Sequence, residues 1–283
     1  MPGEKTPTLE EIIAHKRRAV AGRKAQVPLS AVRAQARMQQ RPLDIVSHLR
    51  SRRLTLVAHL QAASLESGRI LRPYDPVGLA RLFAGNGAAG LSIATEERFF
   101  QGGLDHLTLV KRAVDVPVWA YDFIIEPYQV YEARAAGADG ALLMAHLLAD
   151  VELRALVSLT QRLKMTELLV VRNEAEMARV AGLDPRVVII TTRDPVSGAV
   201  DLGLPARLRA ALPAHTTVLA MGGFKTAADM AQAADAGVDG VVVGRALMTA
   251  DDKAGAFRAF VRFAAHAQNP VPAYRRGIGA EKP

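Results

Sequence analysis

The stretch "VPVWAYDFIIEPYQVYEARAAGADGALLMA", residues 116–145, contains one complete strand–helix–strand unit. Its apolar and aromatic start predicts a β-strand over residues 116–121, and the segment that follows has the composition and length of a helix. Gly137 predicts a left-handed helix end, and Asp139-Gly140 then leads into a second apolar run. Because the connection is long enough for a crossover helix, we expect the two strands to be parallel.

The same unit recurs along the chain. Eight short apolar runs, separated by roughly 20 to 30 residues, predict parallel strands covered on both faces. They lie at residues 54–60, 90–94, 116–121, 140–145, 168–171, 187–191, 217–221 and 240–244. The pattern predicts an α/β fold consisting of a single closed (β/α)8 barrel, a TIM barrel, with a doubly wound open sheet as the alternative.

A repeated connector favours the barrel over the open sheet. "AAGADGALL" (135–143) and "DAGVDGVVVG" (235–244) both end a helix at glycine and enter a strand through Asp-Gly, and "GNGAAGLS" (85–92) is a looser copy. Residues 1–52 are expected to form a helical extension packed on the barrel, beginning with the capping box Thr8-x-x-Glu11. The barrel should then occupy residues 53–268, followed by a weakly ordered tail at 269–283.

Composition excludes several classes of protein. The chain has 283 residues with 50% hydrophobic content, and none of its apolar runs is long enough to cross a bilayer. Charged residues occupy the N-terminal segment where a secretory signal would be apolar, so a cytoplasmic location is expected. The absence of cysteine excludes disulfides, thiolate metal sites and a cysteine nucleophile.

The expected partner is a small molecule. The net charge of +8 would suit nucleic acid, but the basic residues are dispersed and aromatics make up only 5%, which disfavours that partner. No His-x-x-x-His pair or compact carboxylate cluster predicts a metal, and no cofactor is expected. The sequence gives no indication of an oligomeric state.

The candidate site lies where the predicted strands end, since barrel enzymes carry their chemistry there. The first strand ends in His59-Leu60-Gln61 and the third in Tyr121-Asp122. The last two end in Gly222-Gly223 and Gly244-Arg245, turns that could place backbone N–H groups, a helix start and a guanidinium around a phosphate. Other candidates at these ends are His146, Val170, Arg172, Thr191, Arg193 and Met221.

Several stretches resemble one enzyme family over nearly the whole chain. They are "LEEIIAHKRRAVAGRK" (9–24), "FFQGG" (99–103), "DFIIEPYQVYEARAAGAD" (122–139), "NEAEM" (173–177) and "GVDGVVVGRALMTADD" (237–252). The family is indole-3-glycerol phosphate synthase, which closes and decarboxylates a carboxyphenylamino-deoxyribulose phosphate. The resemblance implies a barrel with a pocket for a phosphorylated, partly aromatic substrate. Matching pocket residues are Phe99, Phe100, Arg193, Gly223 and Gly244.

The residues that the resemblance would make catalytic are different in this chain. The family's Glu-x-Lys on the first strand reads His59-Leu60-Gln61, and its lysine before "DFI" is Tyr121. Its strand-five glutamate, strand-six asparagine, strand-seven Glu-Ser and strand-eight Gly-Glu-Ser are replaced by Val170, Thr191, Met221-Gly222 and Gly244-Arg245-Ala246. Because ring closure and dehydration need a general acid and a base, we expect a divergent member without efficient synthase activity.

The replacements predict a drier site with its own chemistry. His59 would titrate near neutrality as acid or base, and Tyr121 would donate to an oxyanion, with Gln61 and Thr191 beside them. An anionic, partly aromatic or apolar carbonyl substrate would lie between Phe99, Phe100, Val170 and Met221. The favoured function is a repurposed lyase, cyclase or isomerase. The alternatives are a catalytically silent relative that binds a ligand or a regulatory partner, and residual synthase activity.

Overall fold

The structure is a closed barrel of eight parallel strands. A computed structural model describes residues 7–50, 53–194 and 197–266. The strands are β1 (Thr55–Leu60), β2 (Gly90–Ala94), β3 (Val118–Tyr121), β4 (Gly140–Met144), β5 (Thr166–Val171), β6 (Val187–Thr191), β7 (Thr217–Met221) and β8 (Gly240–Val243). Each strand pairs in parallel with its neighbours in the chain, and β8 pairs with β1. The (β/α)8 prediction is therefore confirmed and the open sheet is excluded.

Helices cover the outside of the barrel. Three precede β1, namely α1 (Leu9–Gln26), α2 (Leu29–Met38) and α3 (Ile45–Leu49). The others are α4 (Pro76–Gly85), α5 (Leu104–Lys111), α6 (Pro127–Ala135), α7 (Asp150–Arg162), α8 (Glu174–Ala181), α9 (Leu204–Arg209), α10 (Ala227–Asp235), α11 (Arg245–Met248) and α12 (Lys253–His266). Within the described ranges no helix is both long and apolar enough to cross a membrane. The predicted tail at 269–283 lies outside the described residues.

The aspartate of the repeated Asp-Gly connector has a structural role in both copies. Asp139 and Asp239 are both buried, and their carboxylates bind backbone N–H groups. Asp139 accepts a 2.7 Å hydrogen bond from the backbone N–H of the first residue of β3. Asp239 accepts one of 2.8 Å from the second residue of β7. Gly137 and Gly237 precede them with φ angles of 95° and 69°, as the left-handed helix end predicts. Each connector therefore fastens one strand to the start of its neighbour.

The glycine that opens β4 is required by the packed interior. A β-carbon at Gly140 would lie 2.6 Å from Cδ1 of Ile45 and 2.7 Å from Cδ1 of Leu168. Only glycine fits at that distance without moving its neighbours. Side chains that point inward on successive strands, among them Val57, Trp119, Leu142, Leu168, Ile189, Leu219 and Val242, fill the barrel. The cavity described below opens where these strands end.

Helix α1 is fastened to the end of the barrel where the strands have their C-termini. The predicted capping box of Thr8 and Glu11 begins α1. Further along α1, the almost fully buried ammonium of Lys16 lies 2.5 Å from Oδ1 of Asp122, directly after β3. Arg23 donates to both carboxylate oxygens of Glu132 on α6. These ion pairs fix α1 to the loop that follows β3 and to α6.

Candidate active site

A cavity of about 590 Å³ opens at the C-terminal ends of the strands, a size suited to a small-molecule ligand. The structure brings eleven of the fifteen predicted site residues to its walls. They are His59, Gln61, Phe100, Tyr121, Thr191, Arg193, Met221, Gly222, Gly223, Gly244 and Arg245. No group of three or more potential metal ligands occurs among the described residues.

Three of the other predicted residues are occupied elsewhere. Val170 is buried below the cavity, in the apolar interior of the barrel. Arg172 donates through Nε and Nη2 to Oε1 of Glu176, at 2.9 and 2.8 Å, and so forms an ion pair within the β5–α8 connection. Phe99 packs its ring edge-to-face against His15 of α1 at 5.4 Å. These three side chains support the site without lining it.

His146 also lies outside the cavity, in a short 3-10 turn over residues 145–147. Burial and the positive charge of Arg172 together lower the pKa of His146 to about 4, against the opposing effect of Glu176. Its Nδ1 atom is buried and has no hydrogen-bond partner among the described residues. His146 is therefore not among the residues that line the cavity in this arrangement.

His59 is held in one orientation by two buried polar neighbours. It lies opposite Ser92 in the register of β1 and β2, and its Nδ1 is 3.0 Å from the Ser92 hydroxyl. Its Nε2 is 2.9 Å from Oε1 of Gln61. An amide oxygen can only accept, so Nε2 carries the proton and Nδ1 accepts from the hydroxyl. The imidazole is consequently fixed as a single neutral tautomer.

The prediction that His59 titrates near neutrality is wrong. Burial lowers the pKa of His59 from 6.5 to about 4, which outweighs the opposing effect of the hydrogen bonds to Gln61 and Ser92. The imidazolium would have to form among apolar walls without a carboxylate partner. At neutral pH His59 is therefore a neutral hydrogen-bonding group and a weak base.

Tyr121 packs its ring against the ring of His59. The two ring centroids are 4.4 Å apart with the planes tilted by 51°. Phe100 meets the other side of Tyr121 at 5.3 Å, edge to face. Burial raises the pKa of the Tyr121 hydroxyl to about 12. The phenol therefore keeps its proton at neutral pH and is available as a donor.

A cationic corner lies where β6 and β8 end. Arg193 and Arg245 come from these two ends and both donate to the carboxylate of Glu66, in the loop after β1. Lys225, after β7, lines the same side of the cavity. The corner therefore contains three cationic side chains and one carboxylate that already engages two of them.

The phosphate-binding role of Gly222, Gly223 and Gly244 stays a prediction, but the helix start beside the first two is already occupied. Thr226 accepts from the Asp229 backbone N–H, and the Asp229 carboxylate accepts from the N–H groups of Lys225 and Thr226 at 2.7 Å each. The start of α10 is thus occupied by its own capping residues. At the end of β8, α11 is a single short turn of four residues. The arginines, more than helix termini, supply the positive charge of the corner.

Sequence reasoning missed Glu66, Ser92 and Lys225. Glu66 and Lys225 lie in loops, where strand alternation gives no orientation, and the charges they meet come from distant segments. Ser92 was within reach, since it is two residues before the end of β2 and on the inward alternation. Pairing it with His59 required the register of two strands that no sequence pattern specified.

Comparisons with known proteins agree with this architecture. The family model "Indole-3-glycerol phosphate synthase" matches residues 9–260. A synthase of that name from Mycolicibacterium vanbaalenii is 37% identical over 265 residues, covering 94% of this chain and 97% of the relative. One from Mycobacterium bovis is 36% identical with the same coverage.

More distant solved structures show the same fold. A thiamine phosphate pyrophosphorylase from Pyrococcus furiosus has a TM-score of 0.60 at 16% identity, covering 79% of this chain and 99% of its own. An orotidine 5'-phosphate decarboxylase from Pyrococcus horikoshii has a TM-score of 0.57 at 16% identity, covering 74% and 99%. Both likenesses concern the barrel alone. With the family match and the closer relatives, they lead to one conclusion: the chain belongs to the indole-3-glycerol phosphate synthase family.

Proposed function

We propose that the protein binds a small anionic, partly aromatic or apolar carbonyl compound in the cavity and acts on it as a lyase, cyclase or isomerase. In this proposal Tyr121 and the amide NH₂ of Gln61 stabilise a developing oxyanion through neutral hydrogen bonds, while His59 holds Gln61 in place. These roles replace the acid–base pair expected from the sequence. The protein is then a divergent family member in which the ancestral ring closure is inefficient.

The observation that carries the proposal is the protonation state of the two aromatic residues. The pKa of His59 is lowered to about 4 and that of Tyr121 is raised to about 12, so both are neutral over the whole physiological range. Neutral donors held in a dry pocket stabilise negative charge that develops on a substrate oxygen. They do not exchange protons readily with the substrate, because neither pKa lies near neutrality.

Gln61 contributes the second donor. Its amide oxygen accepts from His59, which fixes the plane of the amide and leaves the NH₂ group as the end that can donate to a ligand. A glutamine at this position adds no charge, so the side of the cavity around Tyr121 is polar but neutral. This distribution suits a carbonyl oxygen better than a phosphate or carboxylate group.

The substrate class follows from the remaining walls. The cavity also has an apolar surface, supplied by Leu65, Phe100, Met221, Phe224 and Val242. A ligand with a carbonyl at one end, an apolar or aromatic body and an anionic group at the other end matches the three regions in turn. The substrate of the family likewise combines a carbonyl, an aromatic ring and a phosphate.

The composition of the cavity supports the proposal that synthase activity is inefficient. Among its described lining residues, Glu66 bears the only carboxylate, and two arginines engage it. Removal of a positioned acid or base typically lowers a rate by about a hundred- to ten-thousand-fold, and several are replaced here. Synthase activity itself is the second candidate function, favoured by the 37% identity with synthases over 94% of the chain.

A screen with matched variants tests the proposal. Aromatic and aliphatic carbonyl compounds that carry a phosphate or carboxylate would be assayed for stabilisation of the wild type and then for conversion. For a converted compound, Tyr121→Phe should lower kcat by about a hundredfold with little change in KM, because the lost donor acts on developing charge. Compounds that bind and are converted equally by Tyr121→Phe and His59→Gln would contradict the proposed roles. Binding without conversion of any compound would favour the silent ligand-binding alternative.

A further inference from the structure

We propose that Glu66 is an internal occupant of an oxyanion site formed by Arg193 and Arg245, and that the anionic group of the ligand displaces it. The inference deepens the proposed function and rests on it. The site would take a phosphate or carboxylate group, since both present the oxygen geometry that guanidinium groups recognise. Glu66 then acts as a gate between the empty cavity and its ligand.

The two arginines hold the Glu66 carboxylate in the way that guanidinium groups bind an oxyanion ligand. Oε2 of Glu66 accepts from Nη1 of Arg193 at 3.0 Å and from Nη1 of Arg245 at 2.8 Å. Oε1 accepts from the same Arg193 nitrogen at 3.1 Å. The arginines belong to the ends of β6 and β8, which the barrel holds in fixed positions. Two cations from separate strand ends thus converge on one carboxylate inside the cavity.

The carboxylate sits on the more easily displaced element. Glu66 is within the turn at residues 65–67, between the two-residue strands Ala63–Ser64 and Gly68–Arg69 of a small antiparallel hairpin. An isolated two-stranded hairpin is only marginally stable. Arg193, in contrast, also donates from Nη1 to the carbonyl of Gly198 at 3.2 Å, within its own loop. Arg193 therefore has a tether that remains when Glu66 leaves.

Because the three side chains are partly exposed to solvent, replacing the Glu66 carboxylate with a ligand anion requires little free energy. The side chain of Glu66 is 25% exposed, that of Arg193 25% and that of Arg245 45%. Ion pairs with this access to water contribute little to folding stability, so breaking them does not threaten the barrel. An incoming oxyanion would form equivalent contacts with the same guanidinium groups. The ligand then supplies the negative charge that Glu66 supplied before.

Calorimetric titration with inorganic phosphate, and separately with benzoate, tests the gate at low ionic strength. Glu66→Gln removes the competing charge while keeping the shape of the side chain. It should bind phosphate about tenfold more tightly than the wild type, because a like charge is removed from a site a few ångströms away. Glu97→Gln is the matched control, since it removes a carboxylate from the exposed loop after β2 without lining the cavity. Its affinity for phosphate should equal that of the wild type.

A second variant assigns the binding to the arginines. Adding Arg245→Ala to Glu66→Gln should return phosphate affinity to the wild-type level or below. A larger gain for phosphate or for benzoate tells which oxyanion suits the corner, and either gain supports the gate. The inference is overturned if Glu66→Gln binds both anions no more tightly than the wild type, which would mean that Glu66 only positions the arginines. Failure of the proposed function looks different: phosphate affinity would rise in Glu66→Gln while no carbonyl compound is converted.

Discussion

The imidazole of His59 lies so close to Gly244 that a β-carbon at position 244 would be 2.9 Å from Cδ2 of the ring. The φ angle of Gly244 is −123°, which other residues also adopt, so the need for glycine is steric. The glycine at the end of β8 therefore accommodates the histidine at the end of β1. These two strand ends are coupled by contact, in addition to the pairing of β1 with β8.

This coupling predicts the effect of Gly244→Ala. The new methyl group must displace the ring of His59, and overpacking of this kind costs about 1–3 kcal/mol of unfolding free energy. Chemical denaturation should show that loss, and His59→Ala in the same chain should recover most of it. Gly85→Ala is the control, because a β-carbon there meets no atom within 4 Å and should change stability by less than about 1 kcal/mol. Equal effects of the two substitutions would refute the coupling.

Burial of neutral His59 predicts a loss of stability in acid. The unfolded chain takes up a proton as pH falls below the ordinary pKa of 6.5, but the folded chain does so only near pH 4. The contribution of His59 is therefore complete above pH 6.5 and declines by about 3 kcal/mol as pH falls toward 4. Urea denaturation of the wild type and His59→Gln would measure it. The stability difference between them should shift in favour of the variant as pH falls, and a constant difference would contradict the assignment.

Lys16 predicts how firmly α1 is fastened to the barrel. Lys16→Met leaves the buried Asp122 without its cation, and breaking a buried pair in this way costs about 3–5 kcal/mol. Lys24 is on the same helix as Lys16, but its ion pair with Glu126 is more exposed. Lys24→Met should therefore cost about 1 kcal/mol or less. The unfolding free energies of the two variants should differ accordingly. Restoration of stability in the double variant Lys16→Met/Asp122→Asn would identify the uncompensated charge as the cause.

Sequence patterns were sufficient for the barrel because every level of the pattern agreed. The eight apolar runs, the glycine helix ends at Gly137 and Gly237, and the Asp-Gly entries all specify the same unit, and the structure contains it. Predicted strand bounds differ by at most two residues, as for β3, which begins at Val118 instead of residue 116. Alternation along the strands also placed His59, Tyr121 and Met221 correctly on the cavity wall.

The electrostatics of the site could not be read in the same way. The pKa of His59 depends on how completely neighbouring strands exclude water, and residue type alone suggests a value near neutrality. The partners of Arg172 and Arg245 depend on loops and helix faces that alternation does not orient. Strand alternation allowed Arg172 to face the cavity, but its side chain forms an ion pair with Glu176, four residues later. Glu66 meets its two arginines across 127 and 179 residues of sequence.

The central claim is that the cavity still binds an anionic carbonyl ligand but has lost the acid–base groups for the family's ring closure. In the most direct measurement, the purified protein is incubated with carboxyphenylamino-deoxyribulose phosphate. Binding is followed by calorimetry, and formation of the indole product is followed by fluorescence. The relative from Mycolicibacterium vanbaalenii, 37% identical, serves as the positive control. The account predicts binding with a rate at least about ten-thousand-fold below that of the control. Formation of the indole product at a comparable rate would contradict it and would make this chain a working synthase.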